Sequence, residues 1–364
     1  MMRRIWTGTS AGNGKGVDFC QQGVRLVPPR STEIDPDPVS ASRSRRTLLK
    51  AGVGAVSMLA IPASFAQASY PSRPIRLVVA FGAGGIADTI ARTISTRLSE
   101  RLGQQVIVDN RPGAGGALGA KIVNGAQPDG HTLLVTTAAV SVNANASKEA
   151  VDPVNGLTPI INAASTPTIF AVHASSPAKG LMEFVKGAKG ARFTFATAGI
   201  GTTEHLTAEF VFRPITGIEA VHVPFTGGVA PVSAVVAQQV DLAATTIPTA
   251  FGQIKSGTLR VVAVAAKSRM PLLPEVPTLR EAGFADFENS SWIGLFAPPK
   301  LAPSIARRIN DEVNAVLKLP EVRERLVTLG FDPRGGSAND FAAYVRSEVE
   351  KWGRVIKVTG ITPA

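Results

Sequence analysis

From residue 75 onward the chain alternates short continuous apolar runs with stretches in which apolar residues recur every four positions. Ile75-Arg76-Leu77-Val78-Val79-Ala80 has the form of a buried strand. Ile86, Ile90, Ile94 and Leu98 then predict a helix that Gly103 closes, and Val106-Ile107-Val108-Asp109 is the next strand. Strand, helix, strand in that order is a βαβ unit, which leads to parallel pairing. The pattern continues with a helix near 117–124, a turn at Pro128-Asp129-Gly130 and a strand over 132–136. Further strands are expected over 193–197, 220–225, 242–246 and 259–265, separated by helices near 202–213, 228–239 and 249–255. The last third differs: helices are predicted over 303–317, 320–329 and 339–358, with no strong strand after Trp292-Ile293-Gly294-Leu295-Phe296.

The region before this pattern reads as an export signal. Ser44-Arg45-Arg46-Thr47-Leu48-Leu49-Lys50 places paired arginines ahead of the uncharged apolar stretch Ala51 to Phe65, and Ala66-Gln67-Ala68 supplies a small-x-small cleavage pattern. An apolar stretch of about 15 residues is short for a membrane-spanning helix, which needs about 20. The expectation is a twin-arginine signal peptide over 43–68 with cleavage after Ala68, preceded by 1–42 as a disordered leader or mis-assigned start. That location is the periplasm.

Cleavage there changes the chemistry open to the product. Residues 1–68 hold nine Lys/Arg against four Asp/Glu, so their removal takes the net charge from +11 to +6. No basic stripe interleaved with aromatics remains to support nucleic-acid binding. Cys20 is the sole cysteine, so the product has neither disulfide nor thiolate chemistry.

Three glycine turns follow strands and precede helices: Phe81-Gly82-Ala83-Gly84-Gly85-Ile86-Ala87-Asp88, Ala198-Gly199-Ile200-Gly201-Thr202-Thr203-Glu204-His205, and Pro224-Phe225-Thr226-Gly227-Gly228. Such turns let backbone come close to a ligand, and the following helix N-terminus adds free N–H groups and partial positive charge. An anion fits there without any basic side chain. Asp88 is most simply a group that complements the helix dipole. Glycine at each turn is also explained by α/β geometry alone.

The first turn imitates a dinucleotide fingerprint, with Asp109 ending the next strand where a ribose-binding acid would stand. Gly82-x-Gly84-Gly85 lacks the full spacing, because position 87 is alanine. This keeps one alternative open, a periplasmic NAD(P)- or flavin-dependent oxidoreductase exported folded. Of the four histidines, His131, His173, His205 and His222, no pair has metal-ligand spacing, and no G-x-S-x-G elbow occurs. Binding without catalysis, and without cofactor or metal, is the economical reading.

From Tyr70 to near Ala364 the chain resembles the periplasmic substrate-binding proteins of tripartite tricarboxylate transporters. The resemblance is carried in order by Pro71-Ser72-Arg73-Pro74-Ile75, the first glycine loop, Asn110-Arg111-Pro112-Gly113-Ala114-Gly115-Gly116 and Pro128-Asp129-Gly130-His131-Thr132-Leu133-Leu134. His222-Val223-Pro224-Phe225-Thr226-Gly227-Gly228, Gln239-Val240-Asp241, Val276-Pro277-Thr278-Leu279-Arg280-Glu281-Ala282-Gly283 and Trp292-Ile293-Gly294-Leu295-Phe296-Ala297-Pro298 follow. It implies a type II periplasmic binding protein fold, two doubly wound α/β domains joined by a hinge. Residues 69–172 and 292–364 would form one domain and 173–291 the other, with chain crossings at Ile169 to His173 and Trp292 to Phe296.

The same resemblance implies a monomer that captures a small organic carboxylate and delivers it to integral membrane permease subunits. Phe81, Ala83, Gly84, Gly85, Ile86 and Asp88 would form one jaw, and Gly199, Gly201, Thr202 and His205 the other. Thr136 and Thr137 would add hydroxyls, with Phe225 and Asp241 near the second-domain face. For these four, strand-end packing, strand-end hydroxyls and a turn cap are structural alternatives. Ile200, Ala138 and Ala139 make the pocket less polar than the family pattern, which suits a ligand with one carboxylate and an apolar or aromatic body.

Overall fold

A computed structural model describes residues 70–145, 150–188, 192–215, 219–284 and 287–361. The expected leader and signal peptide lie outside the described residues.

Among the described residues ten strands and ten α-helices succeed one another. The first part runs β1 (Ile75–Val79), α1 (Ile86–Leu102), β2 (Val106–Asn110), α2 (Ala117–Asn124), β3 (Thr132–Thr137), α3 (Ala139–Asn143) and β4 (Thr158–His173). The middle runs α4 (Leu181–Gly187), β5 (Arg192–Thr197), α5 (Thr203–Phe212), β6 (Glu219–Pro224), α6 (Val229–Val236), β7 (Leu242–Thr246), α7 (Ile247–Lys255) and β8 (Leu259–Val264). The chain closes with β9 (Ser290–Ala297), α8 (Pro303–Leu317), α9 (Pro320–Thr328), β10 (Asp332–Pro333) and α10 (Ala338–Thr359).

The βαβ units pair in parallel, β1 with β2 and β3, and β5 with β6 and β7. Pairs through β4 and β9 are antiparallel, so the sheet is mixed rather than all-parallel. Strand order is β2-β1-β3-β9-β4-β7-β5-β6, with β8 and β10 also on β4. The sixteen-residue β4 joins the two halves. Up to Pro167 it pairs with β9, and from Thr168 onward with β7 and β8.

All of β4 escaped the pattern reading; Ile169 to His173 was expected only as a chain crossing between domains. Its register slips between Pro159 and Ile161 and again between Asn162 and Ala164. Each slip moves side chains to the other face and erases the alternation that marks a strand. Helices α3 and α4, of five and seven residues, are too short to show periodicity.

Each half has its own core. In the first, Ile75, Leu77, Leu133 and Phe296 are buried beside Ile90 and Ile94 of α1 and Val313 of α8. Gly103 ends α1 in a left-handed conformation, φ 67°, which glycine adopts at little cost. The second half is covered on both faces. Val232, Val235 and Ile247 pack with Ile169 and Ala243, while Phe170, Phe193 and Phe195 pack with Phe212. Rings of Phe193 and Phe212 meet edge to face, centroids 5.1 Å apart. Helices on both faces of a largely parallel half-sheet make the doubly wound arrangement.

Candidate functional site

The carboxyl ends of β1, β3, β5 and β7 surround a cleft with about 30 Å³ of free space. The β1–α1 turn contributes Phe81 and Gly85 to Ala87, and β3 contributes Thr137. From the β5–α5 turn come Ala198, Thr202 and Glu204, from β6–α6 Gly228, and from β7–α7 Ala244, Thr245, Thr246 and Thr249. Four helix N-termini therefore end on one small space. Each has N–H groups with no intrahelical partner and a partial positive charge. Among the described residues lining the cleft there is no Lys or Arg.

The first turn is built around Asp88. Its carboxylate accepts hydrogen bonds from the Gly84 N–H at 2.9 Å, the Asn110 side-chain amide at 2.9 Å and the Arg92 guanidinium at 2.9 and 3.0 Å. Burial opposes ionisation, yet Arg92, Gly84 and Asn110 together hold this carboxyl below the usual carboxylate range. Asn110 also donates to the Phe81 carbonyl, so one side chain fixes both ends of the turn. Gly84 has φ 79°, and helical hydrogen bonding begins only at Thr89, whose N–H donates to Gly85. The N–H groups of Ile86 and Ala87 belong to the unbonded first turn.

The second turn is built from uncharged groups. Gly199 and Gly201 have φ 144° and 76°. Thr202 caps α5, its hydroxyl accepting from the His205 N–H and donating to the Gly199 carbonyl. The His205 ring faces back into the half-sheet, where Nδ1 accepts the Gly201 N–H at 3.4 Å and the ring stacks on His222 at 4.0 Å. Burial lowers the pKa of His205 to about 4, and burial with the neighbouring His205 lowers that of His222 to about 3.

The turns of the two halves touch through main chain. A methyl group built on Gly82 would stand 3.6 Å from the Thr226 carbonyl, and one on Gly227 3.4 Å from the Gly82 nitrogen. One on Gly115 would overlap the carbonyl oxygen of Ile200. Beside the cleft, past Phe81 and Ala198, lies a second compartment of about 280 Å³, walled by Pro112 to Gly116, Gly199, Ile200 and Pro224 to Gly227.

Of the residues singled out from sequence, Phe81, Gly85, Ile86, Thr137 and Thr202 meet at the cleft, and Gly199 and Phe225 line the second compartment. Ala83 and Gly84 form the exposed outer bend of the first turn. Asp88, Gly201 and His205 act behind the turns rather than on the cleft. Thr136 is fully buried one position before Thr137, on the opposite face of β3.

Asp241 stands elsewhere. Its carboxylate accepts from the Thr194 N–H and hydroxyl, both at 2.8 Å, at the entering end of β7. Four residues of strand, about 13 Å, separate it from Thr245 at the cleft. Asp241 ties the start of β7 to β5, a role other than the ligand-face position or the turn cap expected from sequence. Asp109, the imitation ribose acid, is likewise committed: it is paired with Arg76 at 2.6 Å and Arg111 at 3.0 Å.

Thr245, Thr246, Thr249 and Glu204 were missed as cleft residues. The threonines sit where a strand ends before a helix opened by Pro248, which is the same signal that marked the other turns, without the glycines. Glu204 was passed over because an acid in a first helical turn is ordinarily a solvated dipole partner.

Comparison with known proteins bears on the whole assembly. The profile of the Tripartite tricarboxylate transporter family receptor matches residues 90–361. A protein from the tcbD-tcbE intergenic region of Pseudomonas sp. is 37% identical over 292 residues, covering 79% of this chain and 87% of the relative. The solved structure of the periplasmic binding protein BugD aligns with TM-score 0.75 at 29% identity, over 80% of this chain and 99% of that one. MatC from Rhodopseudomonas palustris, with bound malate, aligns with TM-score 0.74 at 32% identity, over 79% of this chain and 100% of that one.

Proposed function

The chain belongs to the tripartite tricarboxylate transporter receptor family, a family of substrate-binding proteins and not of enzymes, and on that premise we propose how it works. It is a periplasmic carboxylate-binding receptor. We infer that it reaches the periplasm by the twin-arginine route, cleaved after Ala68, and hands its ligand to the membrane permease subunits of a tripartite transporter. The oxidoreductase alternative falls with the family, and with Asp109 held by two arginines.

The observation that carries the reading of the site is the convergence of four helix N-termini on a cleft lined by no described Lys or Arg. Backbone amides at Gly85, Ile86 and Ala87 hold the ligand carboxylate, helped by the hydroxyls of Thr137, Thr202, Thr245 and Thr246. The two half-sheets act as binding domains, and β4 with β9 forms the hinge about which they rotate. Phe81, Ala198 and the second compartment receive an apolar or aromatic ligand body. The receptor works as a monomer.

Residues 69–364 screened by thermal shift and calorimetry against mono-, di- and tricarboxylates test this. A cognate acid at 100 times its dissociation constant stabilises by about 2.7 kcal/mol and raises the melting temperature. Small-angle scattering then shows a smaller radius of gyration with ligand than without. No stabilisation by any organic acid would overturn the reading.

A further inference from the structure

One feature of the cleft is unused by carboxylate capture alone. Glu204, second residue of α5, lines the cleft and is the only ionisable side chain among the described residues that do so. It is 7% exposed. The Thr203 hydroxyl lies 3.3 Å from its Oε2 and 3.3 Å from the Ser291 hydroxyl, so the carboxyl rests in a nest of hydroxyl groups with no described cation among them. Burial holds it above the usual carboxylate range, against the hydrogen bonds of its own backbone, Thr203, Ser291 and Thr202.

Its place decides what it does. The N-terminus of α5 is one of the four positive ends facing the cleft and would be a natural seat for a second ligand carboxylate. Glu204 already occupies that end with a carboxyl of its own. A ligand reaching across from the α1 turn therefore meets amide donors at one end and a buried acid at the other.

We propose that Glu204 is the specificity-determining residue of the cleft, rejecting a second carboxylate and selecting a ligand that pairs one carboxylate with an ammonium group, an amino acid. This rests on the carboxylate-receptor reading above and names the substrate class of the same site. The ligand carboxylate sits on the α1 amides and its ammonium against Glu204. A carboxylate–ammonium pair then closes that end of the cleft. The apolar walls at Phe81 and Ala198 take the side chain.

The test uses residues 69–364 and sets of ligands on one skeleton. Phenylalanine, phenyllactate and 3-phenylpropionate form one set, leucine, 2-hydroxyisocaproate and 4-methylpentanoate a second, with succinate and adipate as dicarboxylates. Calorimetry gives the affinities. The amino acid of at least one set should bind at least tenfold tighter than its hydroxy analogue. In Glu204→Gln that preference vanishes, while in Glu204→Thr the dicarboxylates gain at least tenfold. Circular dichroism and the melting temperature confirm that the variants fold. Dicarboxylates or hydroxy acids that bind the unmodified protein best, with an order unchanged in both variants, overturn the assignment and leave the carboxylate receptor standing. Silence from every acid overturns both.

Discussion

The two turns that face each other across the cleft have the same form in sequence, glycines after a strand and an acid in the first turn of the helix that follows. Physically they are opposites. The first is held from within by an ionised carboxylate, Asp88, spread over Gly84, Arg92 and Asn110. The second is held by a threonine cap and two neutral stacked histidines, and its acid, Glu204, lies against hydroxyl groups in the cleft lining. An acid early in a helix thus serves as scaffold in one half and as ligand wall in the other. What separates them is a partner: Asp88 has a cation four residues on, and Glu204 has only hydroxyls.

Acid titration should separate the turns most widely. Because His205 and His222 are depressed in the folded state, the unfolded chain binds their protons first. Stability they support is complete above pH 6.5 and is lost as the pH falls through about 4 and then about 3. For His205 alone the full loss is on the order of 3 kcal/mol. Glu204 and Glu209, raised mainly by burial, contribute with the opposite sign. The comparison to make is therefore urea unfolding of wild type against a His205→Gln, His222→Gln double variant, in which the decline between pH 6.5 and 4 should flatten. Asp88, lowered, keeps its contribution until the pH falls below about 3.8, so the first turn outlasts the second.

Breaking the charged scaffold comes next in size. Asp88→Ala leaves the Gly84 N–H and the part-buried Asn110 amide without their acceptor and should cost roughly 1–2 kcal/mol, measured by urea unfolding, with ligand affinity falling alongside. Arg92 is half exposed and is rehydrated, which keeps the loss below that of a fully buried pair.

Gly115→Ala acts on the approach of the halves. It puts a methyl on a residue at φ 57°, a local backbone cost of about 1–2 kcal/mol, and into the Ile200 carbonyl where the halves meet. The melting temperature of the free protein should fall in line with that backbone cost, and calorimetry should show affinity weakened about tenfold. The smallest effect belongs to Thr202→Ala, the loss of one cap, about 1 kcal/mol in thermal unfolding.

The βαβ frame was legible because α1 and β1 follow simple rules: four-residue spacing, a continuous apolar run, a glycine stop. β4 was illegible because two register slips scramble its faces, and with it went the mixed character of the sheet. In the site, backbone-built features such as Gly85 and Thr202 could be read from glycine and cap signals. The roles of Asp88 and Asp241 could not, since whether an acid meets a ligand, an amide or a threonine depends on partners 22 to 47 residues away. Glu204 shows the converse, an acid in an ordinary helical position that tertiary burial has removed from solvent.

The halves meet through main-chain atoms, Gly82 against Thr226, Gly115 against Ile200. Capture of a carboxylate and contact of the jaws are thus written in peptide units that every sequence possesses, constrained only by the need for glycine at a handful of turns. The side chains that shape the remaining space, Ala198 and Glu204, carry no part of that machinery and can be exchanged singly. A lineage built this way can change its diet by point mutation while leaving the grip untouched, and divergence among its copies should concentrate at those two positions.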